Sequence, residues 1–214
     1  MSAAATKEVC IAVDVMGGDN APDVVIEGIK SALLSDEHLR VLAVGPQEVI
    51  DDAFAGMQRV SLRYSTEVIG MDEHPATAVR AKKDSSVVVA CKAVKEGLAD
   101  GFFSAGSTGA CMSAATLFIG RIRGIARPAL ATWVPARQKP VLLLDVGANA
   151  DCKPEYLHQF ALMGKIYSSA TLKINEPSIA LLNIGEEETK GNAFAQECHA
   201  YLKEHTPGFV GNAE

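Results

Sequence analysis

Lys190 and Asn192 stand two positions apart in "NIGEEETKGN", at the approach to a helical stretch. An ammonium there can neutralise a phosphate or the oxyanion of a developing tetrahedral centre. Asn192 can donate a hydrogen bond to the same charge, or serve as the N-cap of the helix that follows. A second segment, "SAGSTGA", sets Gly106 and Gly109 around the hydroxyls of Ser107 and Thr108. A backbone that turns this closely into a helix leaves unpaired N–H groups at the end whose dipole favours negative charge, which makes an anion site. It is neither a Walker A loop, since no Gly-Lys-Ser/Thr follows, nor G-x-G-x-x-G. In "LLLDVGANAD" an apolar run ends at Asp145, followed by Gly147, Asn149 and Asp151. Asp145 can orient a lysine or hold the N–H groups of its own loop. In "VDVMGGDNAP", Asp14 is followed by Gly17, Gly18 and Asn20, so the backbone can approach a ligand closely between two polar side chains. A plain turn explains any one of the four. All four together, each following an apolar run, predict one shared site.

The elements that must position these loops alternate along the chain. Strands are predicted at Val9–Met16, Leu39–Gly45, Val60–Ser65, Gly101–Ala105, Ala129–Val134, Val141–Val146 and Ser178–Ile184. Several are continuous apolar runs, such as "VLLLDV" and "IALLNI", which suit strands covered on both faces of a parallel sheet. Helices are predicted at Asp23–Leu34, Ser85–Glu96, Thr108–Ile119, Pro154–Ala170 and Asn192–Glu204, with serines able to cap the second and a proline in the first turn of the fourth. Alternating strands and helices imply an open, doubly wound α/β sheet. In such sheets ligands bind beyond the carboxyl ends of the strands, where all four loops lie. Residues 1–214 are expected to form one domain. The closing "GFVGNAE" looks like the start of another strand and turn, so the domain is expected to continue.

Composition narrows the function. The net charge is -6 and the pI about 5.4, which disfavours a general nucleic-acid binder, because phosphate neutralisation needs clustered cations. Two basic stretches remain: "RAKKDSS" with Arg80, Lys82 and Lys83, and "GRIRGIARP" with Arg121, Arg123 and Arg127. On an acidic chain these can receive an acidic partner. The five cysteines lie too far apart for a metal-type pair, and a reducing cytoplasm is expected. No apolar run approaches the ~20 residues that span a bilayer. Cys91 and Cys111 fall on apolar helix faces, and no G-x-S-x-G elbow is present, so a covalent nucleophile is not indicated. His74 reads as a surface residue, and His158, His199 and His205 as structural. Glu186, Glu187 and Glu188 read as a solvated turn rather than metal ligands.

Taken in order and spacing, "VDVMGGDNAP", "RAKKDSS", "SAGSTGACM", "GRIRGIARPAL", "LLLDVGAN" and "NIGEEETKGN" resemble the acyl-carrier-protein-dependent phosphate acyltransferases (PlsX) over nearly the whole chain. The resemblance implies a Rossmann-like three-layer α/β/α sandwich with a mostly parallel sheet, similar to the isopropylmalate dehydrogenase-like fold. It implies attack of inorganic phosphate on an acyl thioester carried by acyl carrier protein, giving acyl phosphate for bacterial phospholipid synthesis. A homodimer, peripheral membrane association through a segment beyond Glu214, and no metal or organic cofactor are implied as well. On this reading Lys190, Asn192 and Asp145 are catalytic. Asp14, Gly17, Gly18, Asn20, Ser107, Thr108, Gly109 and Asn149 bind phosphate or substrate. Arg121, Arg123, Arg127, Lys82 and Lys83 meet the carrier. The family's glycine loop usually has Asn where this chain has Ser107, whose hydroxyl can donate but reaches less far. Two rivals stand beside this reading. One is a nicotinamide-dependent dehydrogenase of similar fold, which lacks a visible dinucleotide fingerprint here. The other is a non-catalytic module that binds carrier protein or membrane.

Overall fold

The computed structural model describes residues 8–137 and 139–214. By internal contacts the chain divides into two compact units, one ending at Gly120 and one spanning Arg121–Glu214.

The first unit contains β1 (Val9–Asp14), α1 (Asp23–Ser35), β2 (Leu39–Gly45), α2 (Gln47–Ala53), β3 (Val60–Tyr64), α3 (Pro75–Ala81), α4 (Ser86–Lys95), β4 (Gly101–Phe103) and α5 (Thr108–Ala114), which runs on into a π-helical turn, Ala115–Ile119. The strands pair in parallel in the order β3-β2-β1-β4. Side chains alternate between the sheet's two faces, and both faces are covered. On one side Val13, Val41 and Ala43 pack with Val25, Ile29 and Leu33 of α1, Ile50 of α2 and the adjoining Phe54. On the other Ala12, Leu42 and Val44 pack with Val89, Ala90 and Ala93 of α4. Small residues on that second side let the helix lie close to the sheet. A third cluster joins Val79 of α3, Val88 and Cys91 of α4, and Ala110 and Ala114 of α5. The three layers of the expected sandwich are therefore present in this unit, and Asp14 sits at the carboxyl end of a central strand.

Two short helices, α2 and α3, escape periodicity because seven residues present too little of an apolar stripe. Arg59 is another unanticipated contributor. Its guanidinium donates to the carbonyls of Leu33, Asp36 (2.6 Å) and Leu39 (3.2 Å), closing the carbonyl end of α1 with a cation. The expected serine cap of α4 is not made. Ser85 occupies the cap position, but its Oγ donates to the Lys82 carbonyl at 2.8 Å and caps no N–H of the helix. That carbonyl also accepts the Ser85 N–H at 3.3 Å, so the serine closes the turn ahead of the helix through both its N–H and its hydroxyl.

The second unit contains β5 (Ala131–Val134), β6 (Val141–Leu144), α6 (Pro154–Leu172), β7 (Ile179–Leu182), α7 (Ala193–His205) and β8 (Phe209–Ala213). β7 and β8 are parallel, and the closing segment is indeed a strand. β5 and β6 are antiparallel, unlike the rest. The connection 135–140 is far shorter than the dozen or so residues a parallel crossover needs. α6 packs against β6, where a side chain on Gly164 would come within 3.3 Å of Leu144 Cδ1. Trp133 of β5 stacks on Tyr167 of α6 with ring centroids 6.0 Å apart. α7 buries Cys198, His199 and Leu202. Among the described residues, no helix is long and apolar enough to cross a membrane.

Ile50 is fully buried, and its Cγ2 would lie 3.1 Å from a Cβ placed on Gly45, so the site has little slack into which to collapse. Ile50→Ala is expected to cost about 2–5 kcal/mol of stability, the range for a large-to-small change in a packed core. Urea denaturation checks this, and a loss under about 0.5 kcal/mol, the level of a surface change, would contradict the packing described.

Candidate functional site

In the first unit, the sheet's end is organised around a buried carboxylate. Asp14 is 4% exposed. Ser104 Oγ donates to Asp14 Oδ2 at 2.7 Å, and the Met16 N–H reaches Oδ1 at 3.2 Å. Ser104 Oγ in turn accepts from the Gly106 N–H at 3.0 Å. These bonds offset the desolvation of the acid and tie the β1 loop to the loop after β4. Gly17 is required for the approach: a Cβ there would fall 2.5 Å from Ser104 Oγ and 2.6 Å from Asp14 Oδ2. The Gly106 loop then enters α5. Ser107 caps the helix by accepting from the Ala110 N–H at 3.4 Å, while Thr108 is exposed beside it. Gly109 lies against α3, where a Cβ would come within 2.7 Å of Pro75 Cγ. Gly18 and Asn20 supply carbonyls that accept from Ala21 and Val24 at the lead-in to α1, and the Asn20 side chain is exposed. Residue type alone assigns Ser104 no role. Its position directly between a strand and a glycine turn is the signal that marks it.

In the second unit, Asp145 holds its own loop. Its Oδ1 accepts from Leu130 N at 2.8 Å and Ala148 N at 3.1 Å, and its Oδ2 from Asn149 N at 2.8 Å and Asn149 Nδ2 at 3.0 Å. Asn149 Nδ2 also donates to the Pro128 carbonyl at 2.9 Å, fastening the "ARPAL" segment to the "DVGAN" turn. Burial pushes the Asp145 carboxyl up, but the bonds from Leu130, Asn149 and Ala148 outweigh it and hold the acid below its ordinary range. Of the two roles open to Asp145, the loop-holding one has the contacts.

Lys190 is exposed, with its Nζ 3.9 Å from Glu187 Oε2. Its backbone is firmly placed. The Lys190 N–H donates to the Glu187 carbonyl at 3.0 Å, and Asn183 Nδ2 donates to the Lys190 carbonyl at 3.1 Å. Gly191 follows at φ 85°, a left-handed position that favours glycine, and a Cβ there would also strike Asn183 Oδ1 at 2.6 Å. Asn192 is the N-cap of α7, its Oδ1 accepting from the Ala195 N–H at 2.9 Å. With its oxygen so used, the amide can offer only its NH2 group to an anion. Glu186, Glu187 and Glu188 are exposed, as expected of a solvated turn, although Glu188 pairs with Lys203 at 2.6 Å. That hydrogen bond to Lys203 holds the Glu188 carboxyl below its ordinary range.

The basic residues divide. Lys82 is engaged, pairing with Glu73 at 2.6 Å and donating to the Val68 carbonyl at 2.7 Å. Lys83 is exposed. In the "GRIRGIARP" loop, Arg121 donates to the Ala126 carbonyl, Arg123 is exposed, and the Arg127 guanidinium lies 5.9 Å over the Tyr156 ring. Gln159 of α6 fixes this loop by accepting from Ala126 N at 2.8 Å and donating to the Gly124 carbonyl at 3.2 Å. Ile122, 72% exposed, stands among the arginines. His74 is exposed ahead of α3. Burial pushes the Cys91 thiol up to about 12 and also raises Cys111, so neither is poised as a thiolate. Among the described residues, no group of three or more His, Cys, Asp or Glu is placed to hold a metal ion.

A parallel sheet layered by helices, with polar and glycine-rich loops at its strand ends, defines an α/β protein of the phosphotransacylase fold. The structure is similar to a EutD phosphotransacetylase from Staphylococcus aureus, with a TM-score of 0.63 and 15% identity, covering 97% of this chain and 68% of that one. It is also similar to a branched-chain phosphotransacylase from Enterococcus faecalis, with a TM-score of 0.61 and 13% identity, covering 96% of this chain and 68% of that one. The chain belongs to the fatty acid synthesis protein family, whose sequence pattern matches residues 9–214. Relatives named phosphate acyltransferase include those of Dictyoglomus turgidum, 49% identical over 212 residues, and of Desulfitobacterium hafniense, 51% identical over 209 residues. Each match covers 95% of this chain and 62% of the relative, so the chain spans about three fifths of the relatives' length.

Asp145→Asn keeps the shape but sets an NH2 group against N–H donors. It is expected to lower stability at neutral pH by about 1 kcal/mol, because the N–H donors it would leave unsatisfied are half-buried. The wild-type advantage is present above the unfolded carboxylate pKa of about 3.9 and is lost as pH falls through the lower folded value. Urea denaturation of both proteins at neutral pH and near pH 3 checks this. A gap that does not narrow in acid would show that the carboxylate charge is not what holds the loop.

Proposed function

We propose that this chain carries the phosphorolysis chemistry of an acyl-carrier-protein-dependent phosphate acyltransferase. An oxygen of inorganic phosphate attacks the carbonyl carbon of an acyl thioester on the carrier. The new C–O bond forms and the C–S bond breaks. The carrier's thiolate leaves and takes up a proton, and acyl phosphate is released. Phosphate is itself the nucleophile, so no covalent enzyme intermediate is needed. The observation that carries this reading is an exposed lysine whose backbone is fixed on both sides, next to an asparagine N-cap, in a chain half identical to proteins named phosphate acyltransferase.

Lys190 and the NH2 group of Asn192 stabilise charge on the phosphate and on the tetrahedral oxyanion. Ser107, Thr108 and Gly109 bind phosphate through hydroxyl and N–H donors, and Asp14, Gly17, Gly18 and Asn20 shape the neighbouring wall. Asp145 and Asn149 act by holding their loop. Arg121, Arg123 and Arg127 offer charge to an acidic carrier around the exposed Ile122, with Lys83 and the partly engaged Lys82 as further cations. The setting is phospholipid synthesis in a bacterial cytoplasm, by a homodimer that associates peripherally with the membrane. No cofactor and no nucleic acid take part.

The test uses the full-length enzyme. Acyl carrier protein loaded with a fatty acyl group is mixed with inorganic phosphate, and acyl phosphate is trapped as its hydroxamate. Lys190→Ala is expected to lose about 10²–10³-fold in kcat, the scale for removing one charge-stabilising group. Circular dichroism should be unchanged, since Lys190 is exposed. Turnover equal to wild type would remove Lys190 from the mechanism.

A further inference from the structure

We propose that His199 and Asn212 are positioning residues for Lys190, forming a relay from the core of the second unit to the lysine's own backbone. This rests on the assignment of Lys190 to charge stabilisation given above. The Glu187 carbonyl accepts two N–H groups: that of Lys190 at 3.0 Å and the Asn212 side-chain amide at 2.9 Å. Asn212 belongs to β8, so a strand fixes the carbonyl on which the lysine turn closes. Asn212 must aim its Nδ2 at that carbonyl, because an oxygen there would face an oxygen. Its Oδ1 therefore points the other way, and it lies 2.9 Å from His199 Nδ1. An amide oxygen only accepts, so His199 Nδ1 carries the hydrogen. The direction of the whole chain, from imidazole to amide to carbonyl, follows from the single acceptor at its end.

His199 touches the same turn a second time. Its Nε2 lies 3.6 Å from Glu188 Oε1, on the carboxylate that Lys203 also holds at 2.6 Å. The ring is 4% exposed and meets Phe209 edge-on at 5.3 Å. A leucine would fill such a place between α7 and β8 without burying a polar group. The polar choice has its effect at the turn: one buried ring grips Glu187 through Asn212 and approaches Glu188 directly. Gln196 adds a third hold from the same helix, its Nε2 donating to the Thr189 carbonyl at 2.6 Å. The relay is the one that reaches the carbonyl beneath Lys190.

The experiment uses the full-length protein and two readouts. His199→Leu removes the donor. His199→Asn keeps an N–H donor near the Nδ1 position. His199→Leu is expected to lower kcat for acyl phosphate formation by about 10–100-fold through misplacement of the lysine, with KM for phosphate changed less than about threefold. His199→Asn should recover most of the rate. Activity in His199→Leu equal to wild type, or a loss in His199→Asn as deep as in His199→Leu, would overturn the relay. Should His199→Leu fail to fold, Asn212→Asp serves in its place: it keeps Oδ1 for the histidine, sets an oxygen against the Glu187 carbonyl, and should show the same fall in kcat.

The second readout does not depend on the reaction. Nitrogen-15 NMR of histidine-labelled wild type, with His199 assigned by its loss in His199→Asn, should show a protonated Nδ1 whose proton exchanges slowly. A ring with no proton on Nδ1 would overturn the relay whatever the activity. A wild type that makes no acyl phosphate but shows the protonated Nδ1 would defeat the functional reading and leave the hydrogen-bonded relay in place.

Discussion

A parallel strand covered on both faces has room for polarity only at its ends. In the first unit, β1 and β2 spend their side chains on two apolar clusters, and the first charge that β1 meets is Asp14 at its last position. Burying that carboxylate would be prohibitive alone, but Ser104 Oγ and the Met16 N–H compensate it, and Ser104 passes the constraint on to the Gly106 N–H. Gly17 follows from this geometry, since a Cβ there would meet Ser104 Oγ and Asp14 Oδ2, while Gly109 is required by the separate packing of α5 on Pro75. The loops are therefore packed parts of the sheet's end rather than loose connections. Their shape is set by what the buried acid needs.

The second unit solves the same problem with different donors. Asp145 takes the N–H groups of Ala148 and Asn149 in its own turn and that of the strand-leading Leu130. The Lys190 turn has no buried acid of its own. It is fixed instead by neutral side chains: Asn183 and Asn212 each bind one backbone carbonyl, and Gln196 binds two, those of Thr189 and Gly191. Neutral amides hold a backbone without adding charge, so the ammonium of Lys190 is not committed to an internal carboxylate partner in the core. A scaffold of carboxylates at the same places would have drawn the lysine inward and lowered its value to an external anion.

Much of the fold was legible because its signals are local. Continuous apolar runs marked the strands, and 3.6-residue spacing marked α1, with Val25, Ile29 and Leu33 buried as the spacing requires. Asn192 as an N-cap was readable from residue type and position alone. What stayed hidden depends on distant pairing. Arg59 closes α1 from 23 to 26 positions away, Ser104 finds Asp14 at a separation of 90, and Gln159 reaches Ala126 across 33. Such contacts leave no periodic trace. The same holds for the antiparallel pairing of β5 with β6, which only the shortness of their connection hinted at. His199 reads as structural in the sequence, and its burial agrees, but its bond to Asn212 depends on the strand at residues 209–213.

The acidic triplet beside Lys190 fits this division. Glu188 is occupied by Lys203, and its carboxylate also faces His199. Of the other two, Glu187 lies 3.9 Å from the Lys190 ammonium, with both side chains well exposed. An exposed ion pair of this kind contributes about 0–1 kcal/mol and weakens with salt. A doubly charged anion competing for the same ammonium offers two charges and several acceptors, so it displaces a single solvated carboxylate at little cost. Glu187 then holds the turn through its carbonyl and tethers the resting lysine through its carboxylate, and only the second of these contacts must break for Lys190 to meet an anion. The backbone contact is the one that Asn212 and the lysine's own N–H reinforce together.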